Sequence, residues 1–452
     1  MANFPKHFIW GAASASYQVE GAVNEGGRTP SIWDRFSHTP GRVCRNENGD
    51  YACDSFHRVD DDVEALKSMG LRAYRFSISW PRIVRNGYEE VNEEGFTYYD
   101  ELIDKLLQND IEPYATLFHW DLPLALEDKG GWKNIETAKH FERYATIVAE
   151  HFKGKVKNWF TINEPACIVG LGYGQGIHAP GLKLSEEEQF ICWQNIIYAH
   201  SLASKALRAI DPNNKISIAS TGRICYPISE TEDNIRAASE LTFASPDGDW
   251  TFTHQMALDP ICLGSWPEEH VGEHLKTLFD RVPNVINDSL KYASPDYIGL
   301  NIYNGVPVKM GSNGPLYLER ETGYPRTALG WPIEEACLNW GPRFIYERYK
   351  KPIYITENGL SCNDRIYLDG KVHDADRIDF MHRYLLQLSE ASKNGADVQA
   401  YFHWSLLDNF EWHSGYNERF GLYYVNYNDF SRTAKDSALW YKEVVKNNGD
   451  NL

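Results

Sequence analysis

Two glutamates carry the strongest chemical signal in this sequence. Glu164 stands in Thr161-Ile-Asn-Glu-Pro165, after the run 156–160, and Glu357 stands in Tyr354-Ile-Thr-Glu-Asn-Gly359. Each ends a short β-type stretch and each neighbours an asparagine. A single glutamate in such a place is most often a solvated or ion-paired loop residue, since glutamate is rarely buried without a partner. Two glutamates brought to one opening are what glycoside hydrolysis requires. One carboxylic acid protonates the leaving oxygen, and the other carboxylate attacks carbon or activates water. Other chemistries are poorly served. His119, His403 and His413 have no ligand spacing, so neither a metal nor another cofactor is expected. The glycine run 170–176 lacks the Lys-Ser/Thr ending of a phosphate loop and reads as a flexible loop.

The elements that must position these residues are legible as a repeat. Eight β-type runs recur, at 8–18, 73–80, 112–120, 156–164, 215–222, 296–303, 352–359 and 398–408. Helical patterns separate many of them. Asn134 caps one, with Ile135, Ala138, Phe141, Ala145, Val148, Ala149 and Phe152 on its apolar face. Ile378, Met381, Leu385 and Leu388 mark another, which Gly395 ends. Eight strands alternating with helices predict a single (β/α)8 TIM barrel with extended βα loops over residues 1–452. A doubly wound sheet would show a glycine-rich turn after its first strand; here that run leads into Tyr17-Gln-Val-Glu-Gly21. A barrel presents its functional side chains at the C-terminal strand ends. Polar or aromatic residues stand there: Gln18, Trp80, His119, Trp120, Asn163, Asn301, Tyr303 and Trp404.

Composition narrows the partners. With 63 acidic against 45 basic residues the chain carries a formal charge of −18, which repels nucleic acid and anionic membranes. A small neutral substrate fits that balance. The eight cysteines form no Cys-x-x-Cys pair, no run is long enough to span a bilayer, and the opening Met1-Ala-Asn-Phe-Pro-Lys-His-Phe8 has no leader pattern. A cytoplasmic protein with reduced thiols is expected. Nothing in the pattern speaks to oligomeric state.

At this point the sequence resembles glycoside hydrolase family 1 over nearly its whole length. The resemblance runs from Phe8-Ile-Trp-Gly-Ala-Ala-Ser-Ala-Ser-Tyr-Gln-Val-Glu-Gly21 to Arg419-Phe-Gly-Leu-Tyr-Tyr-Val425, through Arg75-Phe-Ser-Ile-Ser-Trp-Pro-Arg82 and Trp404-Ser-Leu-Leu-Asp-Asn-Phe-Glu-Trp412. It implies a retaining β-glucosidase acting on small neutral β-glycosides, with Glu357 as nucleophile and Glu164 as acid/base. Arg75 and Tyr303 would hold Glu357 ionised. Gln18, His119, Asn163 and Glu411 would bond the sugar hydroxyls, Trp404 would floor the ring, Trp412 would add a donor and Phe420 would close the far wall. A cis peptide is implied at Trp404–Ser405. Glu411 would repel a phosphorylated sugar. Two departures fall on the aglycone side. Ala166 stands where many relatives carry tryptophan, implying a wider entrance, and Glu334-Glu-Ala-Cys-Leu338 replaces the usual Pro-Glu-Gly-Leu. Trp331 remains as a platform.

Overall fold

The computed structural model describes residues 4–452, so Met1–Asn3 of the opening segment lie outside the described residues. Eight strands are built from the short β-type runs: β1 (Ile9–Ala13), β2 (Ala73–Ser77), β3 (Glu112–Phe118), β4 (Asn158–Asn163), β5 (Lys215–Thr221), β6 (Ile298–Asn301), β7 (Ile353–Asn358) and β8 (Val398–Trp404). They pair in parallel in chain order, and β8 pairs back onto β1, which closes the barrel. Helices such as Glu136–His151, Glu186–Ile210 and Ala375–Lys393 pack outside. This is the predicted (β/α)8 barrel. No helix among the described residues is long and apolar enough to cross a membrane.

The barrel interior alternates large rings with very small residues. Tyr114, Phe160, Tyr297, Tyr354 and Phe402 fill it, opposite Ala13, Ala73, Ala219 and Ala400. Tyr297 and Tyr354 stack with centroids 4.0 Å apart. Glycine is required beneath two of these rings: a Cβ on Gly11 would lie 2.5 Å from the Phe402 ring, and one on Gly299 would lie 2.8 Å from that of Phe160. Close packing of this kind makes a plug, not a pore. Substrate can therefore reach only the mouth.

Three expectations need correction. The first run is not one strand: β1 stops at Ala13, and Ser16–Val19 forms a helical turn whose first N–H is taken by Ser77 Oγ at 2.7 Å. Gln18 therefore approaches the mouth from a helix. Trp80 opens a short helix and stacks on Tyr144 in the outer layer, so it serves packing and does not face the opening. The glycine run belongs to a π-helix, Cys167–Gln175, not a flexible loop. Its glycines answer close neighbours: a Cβ on Gly170 would meet the Phe252 ring at 2.7 Å, and one on Gly172 the Ala179 carbonyl at 2.5 Å. The helix capped from Asn134 begins at Glu136, whose N–H donates to Asn134 Oδ1 at 3.1 Å. The Trp404–Ser405 peptide is cis.

Candidate active site

Strand register assembles the site before any side chain is considered. Ala13 on β1 pairs with Arg75 on β2 and Trp404 on β8, while Glu357 on β7 pairs with Asn301 on β6. The register slips between Ile355 and Glu357 on β7, and again between Phe160 and Asn163 on β4. Such irregularities re-aim side chains, and here one directly precedes each glutamate. Glu164 itself takes φ +46°, a left-handed conformation rare outside glycine, and its N–H donates to the Ala219 carbonyl at 2.8 Å. Trp120 (φ +76°) and Trp412 (φ +50°) share this strained backbone, and all three line one cavity.

That cavity, of about 640 Å³, opens at the C-terminal end of the barrel. Glu164, Glu357, Glu411, His119, Tyr303, Trp404, Trp412, Phe420 and Trp331 all line it. Arg75, Gln18 and Asn163 sit directly behind the wall, each fully buried. Ala166 is also buried, and the wall beside Glu164 is made by Cys167 instead, because the chain has by then entered the π-helical segment.

Both oxygens of Glu357 are engaged. Arg75 Nη1 donates to Oε1 at 2.5 Å and the Tyr303 hydroxyl donates to Oε2 at 2.7 Å. Glu164 Oε1 accepts from Asn301 Nδ2 at 2.7 Å, and the same amide nitrogen donates to Asn163 Oδ1 at 3.1 Å. Thr356 Oγ1 donates to Asn301 Oδ1 at 2.6 Å, which fixes the amide the right way round. Asn163 Oδ1 accepts from Arg75 Nη2 at 2.6 Å, turning its amide nitrogen toward His119 Nε2 at 3.1 Å. With Nε2 accepting, His119 carries its proton on Nδ1, a buried atom without a partner in the protein. Burial and the Arg75 charge hold this imidazole neutral, well below its ordinary pKa.

The carboxyls are separated by their surroundings. Burial raises both, but Glu357 is countered by Arg75, Tyr303 and Asn301. Glu164 has no such close cation; burial, then the Glu357 charge, pushes it up to about 7. Glu411, which accepts from Gln18 Nε2 at 3.3 Å, is pushed up to about 8 by burial, then by Glu357, Glu418 and Glu164. One cation, Arg75, thus balances one ionised carboxylate, and Glu164 and Glu411 both hold their protons more tightly than ordinary carboxyls.

Asn301 and Cys167 are the neighbours of Glu164 that motif reading had left without a role. Asn301 could have been found from its strand-end position. Nothing in the glycine-rich run announces Cys167, Leu171 or Ile177 as wall residues.

A closed barrel whose mouth holds two carboxyls of divergent acidity, within a cavity floored by tryptophan, defines a glycoside hydrolase. The family model for glycosyl hydrolase family 1 matches residues 1–450. β-Glucosidase A of Thermotoga maritima is 41% identical over 99% of this chain and 98% of its own length. β-Glucosidase A of Acetivibrio thermocellus is likewise 41% identical, over 99% of both chains. The structure of the Thermotoga maritima β-glucosidase in complex with deoxynojirimycin superposes with a TM-score of 0.89 at 40% identity, covering 99% of this chain and all of the other. The chain belongs to glycosyl hydrolase family 1.

Removing the Tyr303 hydroxyl tests the support of Glu357. A hydrogen bond to a charged group is worth about 1.5–3 kcal/mol. Tyr303→Phe is expected to lower kcat/KM on an aryl β-glucoside by about 10–100-fold and to move the acid limb of the pH profile upward. An unchanged acid limb would mean that the hydroxyl does not stabilise the ionised carboxylate.

Proposed function

We propose that this chain is a retaining β-glucosidase that releases the nonreducing terminal β-glucosyl unit of small neutral glycosides, with Glu357 as nucleophile and Glu164 as acid/base. One catalytic domain performs the whole cycle. Glu357 attacks the anomeric carbon, the bond to the aglycone oxygen breaks, and that oxygen takes the Glu164 proton with the electron pair. A glycosyl ester of Glu357 results. Glu164, now ionised, removes a proton from water as the water oxygen attacks the same carbon, and the electron pair returns to Glu357.

The observation that carries this reading is the contrast between two carboxyls in one cavity: Arg75 and Tyr303 both donate to Glu357, whereas burial and the Glu357 charge push Glu164 up to about 7. For the sugar, Glu411 faces the hydroxyls at carbons 4 and 6, and Gln18 brings a buried Oε1 without a protein partner. His119 offers its Nδ1 proton, Asn163 faces the hydroxyl at carbon 2, Trp404 and Trp412 contribute floor and donor, and Phe420 closes the wall. Galactosides and fucosides fit the same groups. The aglycone leaves past Trp331. We place the enzyme in the cytoplasm, a reading supported by eight unpaired cysteines, of which Cys53, Cys192, Cys225 and Cys337 are buried.

The pH profile follows from the two carboxyls. Activity requires Glu164 protonated and Glu357 ionised. It is lost as pH rises through the Glu164 value of about 7. It is also lost as pH falls through that of Glu357, which burial lifts above the ordinary carboxylate range. A bell-shaped kcat/KM with its optimum on the acid side of neutrality is expected. A rate that keeps climbing to pH 9 would rule out Glu164 as the acid.

A further inference from the structure

Exposure rises outward along the cavity wall, and the chemistry of the wall changes with it. Around Glu164 (6% exposed) and Glu357 (4%) the lining is carboxyl, imidazole and indole. Further out it becomes Leu171, Phe252, Val306, Leu329 and Ile177, the last 41% exposed at the rim, with Trp331 among them. The polar groups of this outer half are largely engaged by the protein. Thr221 Oγ1 donates to the Asn301 carbonyl at 3.1 Å. Arg223, the cation of the wall, donates to the Tyr317 hydroxyl at 2.8 Å and is ion-paired with Asp249. His413 Nδ1 faces His178 Nε2 at 3.0 Å. Among the described residues this leaves the Asn304 amide, the Ser414 hydroxyl, the outer ring nitrogen of His413 and the Trp331 indole N–H as the polar side-chain groups of the outer wall without a protein partner.

A second sugar in this outer half would bring several hydroxyls against a wall that is mostly apolar and offers only these four polar side-chain groups. Each one buried without a partner weakens binding by about tenfold. An alkyl or aryl group brings no such groups and covers the leucine, isoleucine and valine surface that the wall already exposes. The π-helix is what presents this surface: it sets Leu171 and, just past its end, Ile177 along the path leading out from Glu164.

From this we infer that the enzyme selects β-glucosides with an apolar aglycone, alkyl or aryl, over disaccharides such as cellobiose. The inference rests on the β-glucosidase reading above. It is tested by comparing kcat/KM on octyl β-glucoside, kept below its micelle threshold, with kcat/KM on cellobiose. The expected result is a preference of at least about tenfold for the octyl glucoside. In Ile177→Asn and in Leu171→Asn that ratio should fall about fivefold or more. Ile177 is exposed, so at least the first variant keeps its fold. Cellobiose used as well as the octyl glucoside, or a ratio unmoved in both variants, would overturn the inference. Wild-type hydrolysis of β-glucosyl fluoride, whose leaving group is one atom and never enters the outer half, separates the two readings. If the fluoride is cleaved without an alkyl preference, only the aglycone inference fails. If the fluoride is not cleaved, the glycosidase reading fails.

Discussion

Glu357→Ala is expected to lower hydrolysis of p-nitrophenyl β-glucoside by on the order of 10⁵-fold, with wild-type thermal stability broadly retained. Without the carboxylate there is no covalent intermediate, and nothing else lies where it stood. Tyr303 and Arg75 both donate and cannot attack carbon. The alanine leaves room for a small anion beside the Arg75 guanidinium. Azide should therefore restore turnover, entering from the face opposite the aglycone and yielding the α-glucosyl azide. That product reports retention in the native cycle, because it places the lost nucleophile on that face. A β-configured azide, or a variant that keeps a tenth of its activity, would remove Glu357 from the role.

Glu164→Ala separates into two effects that depend on the leaving group. A poor leaving group needs the Glu164 proton, so kcat/KM on an alkyl glucoside should drop about 10²–10⁴-fold. An activated aryl group such as 2,4-dinitrophenolate leaves without help, so its first step should survive while water attack on the glycosyl-enzyme becomes slow. Burst release of phenol followed by a low steady rate is the expected trace. Azide needs no base, so it should speed turnover and give the β-glucosyl azide, the opposite anomer to that from Glu357→Ala. The alkaline limb near pH 7 should vanish as well, because the group that titrates there is gone. Equal losses on activated and unactivated glucosides would contradict the assignment.

The order of elements could be read from the chain because local patterns encode it. β-Type runs and 3.6-residue periodicity are near-neighbour properties, and the eight strands fall inside the eight runs. The family motifs likewise stood in plain view, as did the strand-end position of each glutamate. The places where reading failed are those where side-chain type does not determine conformation. Ser16–Val19 is a helical turn because Ser77 captures its first N–H, and Ser77 is distant in sequence. The 170–176 glycines look flexible from composition, yet Phe252 and Ala179 crowd them. Trp80 ends a run as His119 does, but its ring goes outward to Tyr144.

The sequence by itself determined the barrel, the two glutamates, and most of the residues gathered around them, since each rests on periodicity or on a contiguous motif. The tertiary structure decided which carboxyl keeps its proton. That outcome comes from burial and from the two donors placed on Glu357 by β2 and the segment just after β6, while Glu164 is bonded directly to no cation. It also decided that Asn301 bonds Glu164, and that a π-helix supplies part of the apolar outer wall. Each of these depends on distances between segments far apart in the chain, set when the barrel closes and its register slips before each glutamate.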